Sequence, residues 1–218
     1  MVTATDVRPV EIGTLGLQAL LGVPNDASGL VIFAHGSGSG RLSPRNNHVA
    51  AALRKAGLAT LLLDLLTPSE ELDRADVFDI PLLASRLNLA TEWASQHPDA
   101  KALRVGYFGA STGAGAALVG AAKTPDQVRA VVSRGGRPDL AGDALPRVRA
   151  PTLLIVGSLD EPVIGLNRRA QARLTCKTEL AIVPGASHLF EEPGTLDIVV
   201  QHATRWFRNH LGGTAKEG

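Results

Sequence analysis

Six short, almost unbroken apolar runs, at residues 30–34, 59–63, 104–108, 128–133, 152–156 and 179–183, constrain this chain more than any other feature. Runs of this length with little polar alternation suit strands buried on both faces, which is the state of a parallel sheet. Helical patterns lie between and after them, at 47–56, 77–96, 112–123, 165–174 and 195–211, several stopped by glycine or proline. Strand and helix in alternation predict an α/β fold with a mostly parallel, doubly wound sheet. Two further patches, 7–12 and 17–23, are separated by Gly13 and Gly16 and predict an N-terminal antiparallel hairpin. With no internal repeat, residues 1–218 read as a single domain, 212–218 being a frayed tail.

Composition removes several functions. Twenty-two Lys+Arg against 21 Asp+Glu leave a formal charge of +1, and aromatics are 4% of the chain. No summed field recruits nucleic acid, and few rings are available for bases to stack on. One cysteine, Cys176, cannot form an internal disulfide, and no Cys/His cluster has zinc spacing. Asp64 breaks the longest leucine stretch, so no membrane-length run exists. A cytoplasmic protein with neither membrane nor nucleic-acid partner, a monomer or homodimer, is expected.

In a doubly wound sheet, ligands bind beyond the carboxyl ends of the strands. After 104–108 comes Gly109-Ala110-Ser111-Thr112-Gly113, a G-x-S-x-G pattern between a strand and a helix. A serine on so sharp a turn crowds its second neighbours, which only very small residues tolerate. Ser111 would stand at a helix N-terminus, where amides favour a developing oxyanion. An ordinary tight turn is the plain alternative for the pentapeptide alone.

A serine hydroxyl needs a base, and the base an orienting carboxylate. Of His188, His202 and His210 downstream of Ser111, only His188 follows a strand run; the other two lie on the last helical pattern. Asp160 also follows a strand run and precedes His188, with Glu161 a weaker substitute. Capping the next helix is the ordinary role of such an aspartate. Three residues in the expected order at three strand ends outweigh these separate alternatives.

The loop His35-Gly36-Ser37-Gly38-Ser39-Gly40-Arg41 follows the run 30–34. It could supply a second oxyanion amide, from Ser37, beside that of Thr112. No lysine follows it as a phosphate-binding P-loop requires, and its glycines are out of register for dinucleotide binding.

With these loops in hand, the chain resembles the α/β-hydrolase superfamily, and within it the dienelactone hydrolase-like branch, over residues 28–211. The resemblance implies nucleophile Ser111, acid Asp160, base His188, and oxyanion donors Ser37 and Thr112, with no metal or organic cofactor. Dienelactone hydrolases are known for a cysteine nucleophile; serine here favours a small carboxylic ester or lactone as substrate. Many relatives insert a helical lid where this chain has residues 134–151, which are too few and too rich in glycine and proline. Minimal or no lid and an open site follow. The same residues would also serve an acyltransferase, thioesterase or amidase, and a non-catalytic receptor could reuse the fold.

Several residues hold lesser claims. Gly36, Gly38 and Arg41 are expected to line the site, and Arg134 and Arg137 to bind a substrate carboxylate, although pairing of these arginines with Asp139 or Asp143 is the plainer role. Asp64 could brace Arg134 or His35, Asn46 could cap a helix, and His35 reads as structural.

Overall fold

The computed structural model describes residues 6–212. Eight strands form one sheet in the order β1-β2-β4-β3-β5-β6-β7-β8. They are β1 (Val7–Ile12), β2 (Leu17–Gly22), β3 (Leu30–Ala34), β4 (Ala59–Leu63), β5 (Val105–Ala110), β6 (Val128–Arg134), β7 (Thr152–Gly157) and β8 (Thr178–Val183). The hairpin β1–β2 joins β4 antiparallel, and β4 through β8 run parallel. This is the expected α/β-hydrolase architecture.

Both faces of the sheet are covered. Leu30, Ile32 and Ala34 of β3 face α3 (Ile80–Gln96) and α4 (Thr112–Lys123), in a core with Leu83, Leu87 and Leu118. Val31 and Phe33 alternate with them onto the other face, against α1 (Pro44–Lys55) and α6 (Thr195–Leu211), with Val49, Leu53, Val199 and Phe207. Two apolar faces on one strand explain why the runs lack polar alternation. The chain reverses its strand order between β3 and β5, so the loops after these two strands diverge and leave a crevice.

Three helix boundaries differ from expectation. The pattern at 77–96 is two helices, α2 (Arg74–Phe78) and α3, because Pro81 starts a new helix and Asp79 caps it through the Leu82 amide at 2.9 Å. Helix α1 begins at Pro44, capped by Ser43; Asn46 is not the cap but is buried. Helix α5 (Glu161–Arg173) starts before Gly165, because Pro162 fits a first turn. Of the expected tail 212–218, residues 213–218 lie outside the described residues, and the Gly212 carbonyl accepts from Arg104 at 3.2 Å.

No helical lid follows β6: residues Pro138–Arg147 form short 3-10 turns broken at Gly142. Among the described residues no helix is long and apolar enough to cross a membrane.

Candidate active site

Ser111 joins β5 to α4 with φ 50° and ψ −122°, a region that L-residues seldom occupy. The flanking glycines are required by contact. A Cβ on Gly109 would lie 2.5 Å from Ala114 Cα, and one on Gly113 would lie 2.3 Å from the Ala34 carbonyl oxygen. The elbow is tied to the β6 end, the Ser111 amide donating to Arg134 O at 3.3 Å and its carbonyl accepting from the Arg137 amide at 3.0 Å. Ser111 as a residue is half-buried.

Asp160 stands at the N-cap position of α5, yet its side chain makes no capping hydrogen bond. Its Oδ2 instead accepts from His188 Nδ1 at 2.7 Å, with the carboxylate 13% and the imidazole 39% exposed. The capping alternative is thus not the role the carboxylate takes. The two loops are pinned together by backbone, Ser158 N to Val183 O at 2.9 Å and Leu159 N to Ala186 O at 3.0 Å. Past His188, Glu192 accepts from the Ser187 amide, which holds its carboxyl below the ordinary range. The position a Cβ would take on Gly135, next to Arg134, is 3.7 Å from His188 Cε1, so the imidazole stands beside the strand end that anchors Ser111.

The glycine loop is more engaged than its sequence implies. His35 is structural: Nε2 accepts from the Leu65 amide at 3.0 Å and Nδ1 donates to Gly36 O. Gly36 closely approaches the elbow, a Cβ there falling 3.0 Å from Ser111 Cβ. The Ser37 amide, expected to be free for an oxyanion, donates to Thr112 Oγ1 at 3.0 Å. The Thr112 hydroxyl caught that amide because the side chain after the serine points back at the β3 loop, an orientation that spacing in sequence does not carry.

The arginines are engaged within the protein, Arg137 in the plainer role expected of it and Arg41 and Arg134 with partners the sequence did not indicate. Arg41 lines a cavity, but Asp64 takes both its amide, at 2.6 Å, and its guanidinium; Asp64 braces neither Arg134 nor His35. Arg137 pairs with Asp139 through two bonds of 2.9 and 2.8 Å. Arg134 is 7% exposed, touches Asn46 Oδ1 at 3.4 Å, and lies 6.0 Å from the Phe190 ring. Burial lowers its pKa to about 10. It points to the α1 face, because it shares the strand parity of Val132, and is no substrate arm of the crevice.

A cavity of about 410 Å³ opens beside the elbow, floored by Gly36, Ser37 and Gly38. Its far wall is Leu66, Glu71, Val77 and Leu83, none of them singled out by sequence. That wall comes from the excursion between β4 and α3, and its signal was the apolar residues scattered through an otherwise polar connection. Among the described residues no group of three or more His, Cys, Asp or Glu could hold a metal ion.

A glycine-flanked serine at a strained strand–helix elbow, an aspartate-bound histidine beyond the last strand, and an eight-stranded, mostly parallel sheet define the α/β-hydrolase class. Residues 17–209 match the Dienelactone hydrolase family, and the chain belongs to it. A dienelactone hydrolase from Anabaena variabilis is 58% identical, superposes with a TM-score of 0.90, and covers 95% of this chain and 98% of its own. Est1E from Butyrivibrio proteoclasticus, 14% identical with a TM-score of 0.77 over 92% of this chain and 98% of its own, shares the fold. Two Mycobacterium tuberculosis proteins named putative phosphoribosyl transferase are 60% identical over 209 residues, which is 96% of this chain. The chain spans about half the length of these curated relatives, 47% of each.

Proposed function

We propose that this protein is a serine hydrolase that cleaves a small carboxylic ester or lactone through an acyl-enzyme. The observation that carries the proposal is the 2.7 Å bond from His188 Nδ1 to an aspartate that forgoes its helix cap to make it. A proton on Nδ1 leaves the lone pair on Nε2, the nitrogen a general base uses. His188 then takes the Ser111 proton as Ser111 Oγ attacks the carbonyl, and Asp160 stabilises the imidazolium that forms. The imidazolium gives that proton to the leaving oxygen. Water, deprotonated in turn by His188, attacks the acyl-enzyme, and His188 returns that proton to Ser111 Oγ as the carboxylic acid leaves.

The oxyanion is assigned to Thr112, through its amide and its hydroxyl. The hydroxyl oxygen accepts from the Ser37 amide, and its own hydrogen is left to donate. A hydroxyl that accepts from an amide is polarised towards donation, so Ser37 acts through Thr112.

The transferase name of the mycobacterial relatives describes proteins about twice as long. This chain matches 47% of each, so that name is not carried over to it. The test is labelling with a fluorophosphonate and turnover of p-nitrophenyl acetate, on wild type and Ser111→Ala. Labelling at Ser111 with turnover lost in the variant is the expected result. Turnover surviving Ser111→Ala would falsify the mechanism, and a wild type that neither labels nor turns over would bring the receptor alternative forward.

A further inference from the structure

We infer that the ester taken by this site carries an uncharged, largely apolar acyl group, and that Asp64 and Glu71 enforce the choice. The inference rests on the serine-hydrolase proposal above and names its substrate class.

The cavity begins at Gly36, within contact distance of Ser111, and its volume of about 410 Å³ suits a short chain or a single ring. Leu66, Val77 and Leu83 form its depth and Leu42 its rim. Arg41 is the one cationic side chain among the lining residues, and Asp64 occupies it twice. Glu71, which also lines the cavity, is exposed and its carboxylate has no partner among the described residues. Paired Arg41 and Asp64 cancel, so the lining carries the surplus negative charge of Glu71.

Arg74, three residues past Glu71, lies 5.8 Å from the Phe78 ring centroid and is not among the lining residues, and the other arginines nearby are engaged. Arg137 is held by Asp139, Arg45 by Glu191 at 3.1 Å, and Arg134 is buried towards Asn46. A substrate carboxylate would lose water, meet no unpaired cation in the lining, and face Glu71, whereas an apolar acyl group loses nothing there. The surface points the same way. Of the seven exposed large hydrophobics among the described residues, five lie on segments beyond the strand ends at this site: Leu42, Leu72, Phe78, Leu159 and Leu189.

The experiment compares kcat/KM for p-nitrophenyl hexanoate and mono-p-nitrophenyl adipate, equal in chain length and differing by a terminal carboxylate. Wild type is expected to prefer the hexanoate by about tenfold or more, less at high salt. Asp64→Asn keeps an oxygen for the Arg41 amide but unpairs the guanidinium, and should move the ratio about tenfold towards adipate. Glu71→Gln, on an exposed residue that folding does not need, should move it about threefold the same way. Wild-type preference for adipate, or a ratio that Glu71→Gln leaves unmoved, overturns the inference while Ser111 labelling leaves the hydrolase standing. Neither ester cleaved and no label on Ser111 overturns both.

Discussion

The strand ends that carry Ser111, Asp160 and His188 and the wall that closes the cavity are built by different means. The first three loops leave strands that are buried on both faces or locked to one that is, and backbone bonds and glycine contacts fix where they lie. The outer part of the wall, residues 67–79 with Glu71 and Val77, is a 3-10 turn at Glu70–Leu72 followed by the five-residue α2, with no buried residue in either, while Leu66 and Leu83 flank it from the core. It is held by side chains. Glu70 accepts from the Thr67 amide at 2.8 Å and from Arg86 at 2.6 Å. The proposed reacting groups thus stand on strand ends locked by buried backbone, and Glu71 and Val77 of the selecting surface stand on a segment without buried residues.

Four substitutions break or sharpen that contrast. The largest effect belongs to the rigid side: Ser111→Ala should lower kcat by about 10⁶-fold with the melting temperature preserved or raised, since alanine keeps the elbow small. Unchanged kcat there would remove the functional half of the comparison. Asp160→Asn should cost about 10⁴-fold in kcat, because an amide would favour the wrong imidazole tautomer. It should leave stability nearly unchanged, as no cap is lost.

Thr112→Val should lower kcat about 10²-fold at near-constant KM, with Thr112→Ser restoring most of it. If the Ser37 amide were the donor instead, the valine variant would unmask it and keep or gain rate, so steady-state kinetics of the pair decides.

The smallest effect is on the wall. The Glu70 carboxyl lies below its ordinary value because the Thr67 amide, then Arg86, favours its charged form. Its contribution is therefore fully present above the unfolded pKa of 4.5 and fades as pH falls through the lowered folded value. Limited proteolysis within 67–79 should accelerate below about pH 4, and Glu70→Gln should reproduce that loosening at neutral pH for about 1 kcal/mol or less. Cleavage in the wall no faster at low pH than at neutral would show that its packing, not Glu70, holds it.

Legibility followed the same divide. The elbow could be read because Gly109, Ser111 and Gly113 are near neighbours whose crowding is a local property. His188 and Asp160 could be read because each follows an apolar run, and the order of runs is the order of strands. Pro81, which splits α2 from α3, was equally plain in the chain but was absorbed by the apolar periodicity around it. A cap at Asn46 would start the helix one turn late, since Ser43 with Pro44 is the stronger start and burial of Asn46 depends on Arg134 from another strand. The wall is not legible because its apolar residues are scattered, Val77 facing the cavity while Leu72 and Phe78 are exposed, and no period marks them.

By itself the sequence determined the α/β alternation, the two-faced burial of the strands and the three loops that bear the candidate groups, because short-range sterics and apolar periodicity decide these. Which charges meet was settled only by the tertiary structure. The order β4-β3-β5 brings the ends of β3 and β4 together, so Asp64 claims Arg41 across 23 residues and Thr112 claims the Ser37 amide across 75. Such pairings depend on the direction of side chains from separate elements, and that direction is fixed only when the sheet has closed its core.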